Sequence, residues 1–118
     1  MRSFALAAVA AALLVVPPSA QAASIERGKQ VYMQKGCWEC HGTQGQGAVT
    51  GPRLAPNPLA FETFSAFIRG SSRAMPPYRE AVLSDADLAD LYAYLQSIPQ
   101  PKEAKDIPLL QQWADRPK

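Results

Sequence analysis

The run Cys37-Trp38-Glu39-Cys40-His41 holds both cysteines and the single histidine of a 118-residue chain. With that chemistry gathered in one place, the rest of the fold has one thing to be organised around. A structural zinc site normally takes four Cys or His ligands, and this run supplies three with no second pair elsewhere. A thioredoxin-like redox pair also uses C-x-x-C, but it sits where a strand enters a helix, and no Val/Ile-rich strand precedes Cys37. A plain disulfide across so small a loop removes little entropy from the unfolded chain. The reading that accounts for all three residues is attached haem: thiols separated by two residues add across the vinyl groups of one porphyrin, and the next residue sets an imidazole under the iron. Cys37 and Cys40 are therefore candidates for covalent attachment of a single haem, and His41 for an iron ligand.

The start of the chain agrees with that chemistry. Arg2, an apolar run from Phe4 to Val16, Pro17-Pro18-Ser19 and Ala20-Gln21-Ala22 have the three sections of a secretory signal, with cleavage expected after Ala22 and a periplasmic destination. The apolar run falls short of the roughly twenty residues that span a bilayer, so no stable membrane insertion is expected after cleavage. A formal net charge of +2 gives no reason to expect a nucleic-acid partner. What remains is a small domain with a thin core, for which a buried cofactor would supply missing apolar mass; the apoprotein is expected to be largely unfolded.

Residues 23–99 read as one all-α domain and 100–118 as a proline-rich tail taken to be extended. Ser24 as N-cap and Glu26 in the first turn predict a helix from Ile25 to Lys35, ended by Gly36. Gly28 inside it costs about 1 kcal/mol relative to Ala, tolerable if another helix must approach there. Gly42, Gly45, Gly47 and Gly51 with Pro52, Pro56 and Pro58 predict an irregular loop on the proximal side of the haem. Leu59 to Gly70 reads as a short middle helix with Phe64, Phe67 and Ile68 on one face. Residues 71–80 are irregular again. Ser84 followed by Asp87 then caps a final helix whose stripe is Leu88, Leu91, Leu95 and Ile98, stopped by Pro99. Trp113 is a candidate to pin the tail.

With no second histidine, a sixth ligand must come from elsewhere, and methionine is the natural donor. Met1 lies in the signal and Met33 on the helix leading into the attachment site, which leaves Met75, followed by Pro76 and Pro77 that stiffen its loop. The alternative for Met75 is core filling. His/Met ligation leaves no open position on iron and favours one-electron transfer.

Gly28-Lys29 with Tyr32, Cys37 to His41, Gly51-Pro52-Arg53-Leu54, Arg73-Ala74-Met75-Pro76 and Asp90 to Leu95 occur in an order that resembles the small class I c-type cytochromes. The resemblance implies that fold, three to four helices around one covalently bound haem. It implies that the Pro52 carbonyl accepts a hydrogen bond from the His41 imidazole and orients it. It also implies that Leu91 and Tyr94 pack against Gly28 and Tyr32 where the terminal helices cross. Arg53 and Arg73 are candidates for pairing with haem propionates, solvation being the alternative. Lys29, Lys35 and Arg69 to Arg79 are read as a mildly basic rim for a redox partner. The expected function is a periplasmic electron carrier rather than an enzyme. The alternatives are the cytochrome subunit of a periplasmic dehydrogenase, or a haem with a labile Met75 that reacts with peroxide or a gas.

Overall fold

The structure, a computed structural model, describes residues 22–114. All but the last residue of the expected signal segment lies outside the described residues. Those that are described form an all-α fold: α1 (Ile25–Gln34), α2 (Cys37–His41), α3 (Phe61–Gly70), α4 (Asp85–Ser97) and α5 (Pro108–Ala114), with a 3-10 turn at Ala104–Asp106. None of these helices is long and apolar enough to cross a membrane.

Both long terminal helices begin where local capping chemistry says they should. The Ser24 hydroxyl oxygen accepts from the Arg27 amide (3.2 Å) and that of Ser84 from the Asp87 amide (3.1 Å), each satisfying a backbone donor that the first turn leaves open. Glu26, Asp85 and Asp87 place negative charge at the positive ends of the two dipoles. α1 stops as expected: Gly36 takes φ 74°, which a residue with a Cβ adopts only with strain.

α1 and α4 cross and bury their apolar faces on each other. Gly28, Val31 and Tyr32 of α1 meet the face of α4 that carries Leu88, Leu91, Tyr94 and Leu95. Gly28 is the point of closest approach, facing the Asp90 carbonyl and Tyr94 Cβ. The Tyr32 and Tyr94 rings tilt together with centroids 5.5 Å apart. Polar ties close the outer edge: the Ser24 amide donates to Asp90 Oδ1 (2.6 Å) and the Arg27 guanidinium contacts Asp87 Oδ1 (2.9 Å).

α3 stands apart from this pair. It reaches α4 through an aromatic cluster, in which Phe61 and Phe64 meet the Tyr92 ring at 5.1 and 5.4 Å while the Tyr92 hydroxyl donates to the Leu59 carbonyl (2.9 Å), and through the Arg69–Asp85 ion pair (2.6 Å). Phe64 and Ile68 are buried, but Phe67, expected on the same covered face, is 56% exposed. Positions 64 and 68 are one helical turn apart and share a line; 67 lies to the side of it.

The tail departs from the extended form expected of it. After Pro99 and Pro101 the chain makes the 3-10 turn and α5, which pack on each other, the Ile107 carbonyl accepting from the Leu110 and Gln111 amides. Pro108 occupies the first helical position, where its missing N–H costs nothing and its fixed φ suits the helix. Trp113 is 60% exposed.

Candidate functional site

Gly36 turns the chain sharply out of α1 into α2, so the C-x-x-C-H run is itself a short helix. A helical spacing of three brings the Cys37 and Cys40 side chains to the same side of it, with His41 next in line. The two cysteines form no disulfide with each other. Cys37 is half-buried against the core, and burial pushes its thiol up to about 11; Cys40 is exposed.

His41 is buried and held from behind. Its Nδ1 lies 2.7 Å from the Pro52 carbonyl oxygen. A carbonyl can only accept, so Nδ1 carries the proton and the Nε2 lone pair is the one left for a metal. Gly51 makes this approach possible, because a Cβ there would stand 2.6 Å from the Cys40 carbonyl oxygen and 2.9 Å from His41 Nδ1. The loop that carries Pro52 is laced to itself and to α2: Gly47 N–H donates to the His41 carbonyl (2.8 Å), and the Leu54 and Ala55 amides converge on the Gly45 carbonyl (2.7 and 2.9 Å).

Three tyrosine hydroxyls fasten the backbone on either side of α2. Tyr78 donates to the Lys35 carbonyl just before it (2.9 Å), while Tyr32 and Tyr94 donate to the Gly42 and Thr43 carbonyls just after it (2.6 and 3.3 Å). Burial raises the pKa of all three above the ordinary tyrosine value, and at Tyr32 the neighbouring Cys37 and Tyr94 add to it. The sequence marked Tyr32 and Tyr94 for ring packing only. Their hydroxyl partners are backbone carbonyls, which no side-chain motif announces.

Met75 is half-buried and packs against the core cluster, and the buried Ser71 donates from its hydroxyl to the Met75 carbonyl (2.8 Å). Arg53 and Arg73 are exposed, and among the described residues neither pairs with a carboxylate. Arg69 does not belong to the exposed basic rim in which the sequence placed it. Its side chain is 23% exposed and its guanidinium is engaged by the Tyr78 and Leu83 carbonyls and by Asp85.

The residues present fit a haem. Two thiols on one side of a short helix, an imidazole whose Nδ1 is already committed, and a thioether on the far loop form the donor set of a c-type site. Among the described residues no three His, Cys, Asp or Glu side chains cluster to hold a metal ion.

An all-helical domain built around such a run is the architecture of a small cytochrome c. The family described as Cytochrome C oxidase, cbb3-type, subunit III matches residues 23–95, and the chain belongs to this family of c-type cytochrome domains, with a haem electron-transfer role. Thiosulfate dehydrogenase of Stutzerimonas stutzeri (strain A1501) is 32% identical over 105 residues, which cover 78% of this chain and 33% of that protein. The chain thus spans about a third of the length of this curated relative. No solved structure matches it significantly.

Proposed function

We propose that this protein is a periplasmic one-electron carrier with one haem, joined covalently through Cys37 and Cys40 and ligated by His41 and Met75. The observation that carries the reading is the fixed tautomer of His41, whose Nδ1 bond to Pro52 reserves Nε2 for iron. Bound haem supplies a reversible one-electron couple. The chain would contribute orientation of the imidazole through Pro52 and, from Met75, a thioether that favours the ferrous state. Arg53 and Arg73, both exposed, are available to pair with propionates. The Arg2 to Ala22 pattern supports export.

Intact mass and an absorption spectrum of the periplasmic form test this together. The expected result is one added porphyrin on a chain beginning at Ala23, and a methionine-to-iron band at the red end of the ferric spectrum that Met75→Ala abolishes. A mass with no porphyrin would overturn the reading, and an unchanged band in Met75→Ala would move the ligand elsewhere.

The thiosulfate dehydrogenase relative favours a second reading, in which this cytochrome serves a dehydrogenase as its electron-accepting unit. Thiosulfate added to the purified ferric protein separates the possibilities. Reduction by thiosulfate alone would make the protein an enzyme in its own right. No reduction until a dehydrogenase is supplied is the behaviour of an accepting unit.

A further inference from the structure

Residues 71–84 connect α3 to α4 and carry Met75, and one side chain fastens the return limb of this loop to the end of α3. Arg69, in the last turn of α3, donates from Nη1 to the carbonyl oxygens of Tyr78 (2.8 Å) and Leu83 (2.6 Å) and from Nη2 to Asp85 Oδ1 (2.6 Å). The three acceptors differ in environment. Asp85 is 79% exposed, so its ion pair is the solvated end of the clasp and contributes little. The two carbonyls lie at the sheltered end, where a lost donor is not readily replaced by water.

Neighbouring bonds extend the fastening. The Tyr78 amide donates to the Ile68 carbonyl (2.9 Å), and on the outgoing limb the Ser71 hydroxyl holds the carbonyl of Met75 itself. A guanidinium suits the task because its planar fork presents several donors in fixed directions; an ammonium is a compact point charge on a flexible stem.

We propose that Arg69 is a positioning residue that keeps Met75 on the iron by closing the 71–84 loop. The proposal rests on Met75 being an iron ligand. Loop opening and global unfolding both break the clasp, so its loss removes a larger fraction of the smaller free energy, that of local loop opening.

The test uses the haem-loaded full chain in the ferric state, with imidazole as the probe that enters when the loop opens. Imidazole binding is timed, the methionine-to-iron band is recorded, and global unfolding is followed in urea by far-UV circular dichroism. Arg69→Met is expected to bind imidazole about tenfold faster or more, with a proportionally smaller change in global unfolding. Asp85→Asn is expected to stay within about twofold of the parent, and Arg69→Lys to fall between. If Arg69→Met does not fold, Arg69→Lys against Asp85→Asn decides by the same criterion. An Arg69 variant that binds no faster than the parent overturns the proposal, as does an Asp85→Asn rate equal to that of Arg69→Met. Met75→Ala separates the failures. Should it keep the band, the ligand assignment falls and the proposal with it; should it lose the band while the Arg69 variants match the parent, the ligand stands and only the clasp is wrong.

Discussion

A methyl group added at Gly28 would run into the Asp90 carbonyl and come within 2.9 Å of Tyr94 Cβ, whereas one added at Gly70 would meet nothing within 4 Å. The same substitution therefore has opposite signs at the two positions. Gly28→Ala forces α1 and α4 apart and should cost about 3 kcal/mol, at the upper end of ordinary overpacking. Gly70→Ala restricts the unfolded chain and should gain up to about 1 kcal/mol. Urea unfolding of the two variants gives both values. Close helix approach at Gly28 was legible in the sequence, because a glycine inside a helix otherwise costs stability for nothing. The role of Arg69 was not visible in the same way. Its three acceptors lie at positions 78, 83 and 85, a spacing that belongs to no periodic pattern, and two of them are backbone atoms.

Among the elements, α1 and α4 were readable to within a residue or so because their start signals are local: a serine, then a backbone amide three positions on. α2 was not, since five residues hold no period, and α5 was hidden because prolines suggest extension while Pro108 in fact opens a helix. Where α2 sits depends on tyrosine hydroxyls, and that gives the protein an alkaline limit. Tyr32 and Tyr94 have pKa values raised by burial above the ordinary value of about 10 that they take when unfolded. Between those values the unfolded state loses protons and the folded state keeps them. The stabilisation is therefore fully present below about pH 10 and is lost as pH rises through the folded values. The melting temperature of the haem-loaded protein should hold steady to about pH 10 and then fall, and Tyr32→Phe should flatten that decline while lowering stability at neutral pH.

At the scale of the molecule, the described core is concentrated in the α1–α4 crossing, and α3 joins it through Phe64 and Ile68, the ring of Tyr92 and the Arg69 contacts. A chain this short buries too small a fraction of its surface to hold a third helix firmly without added apolar mass. The Cys37→Ala, Cys40→Ala double variant, which cannot attach a porphyrin, should show a far-UV circular dichroism spectrum with most of its helical signal lost, and a native spectrum would show that the polypeptide folds unaided. The all-helical class was legible because capped, helically spaced stretches alternate with glycine- and proline-rich loops and no strand pattern competes with them. Which face α3 would cover was not, since that depends on a partner surface lying far away in the sequence.

The tie between the Ser24 amide and Asp90 places the beginning of α1 against the middle of α4, about 10 Å from where α4 ends at a rise of 1.5 Å per residue. An entry and an exit so close make the domain a loop that can be reopened elsewhere. Joining Ala23 to Ile98 by a short glycine–serine bridge and starting the chain anew at Val49, a fully exposed position, should yield a circular permutant that melts within a few degrees of the parent. The same closeness of ends would let this unit be spliced into a surface turn of another protein while both keep their own folds.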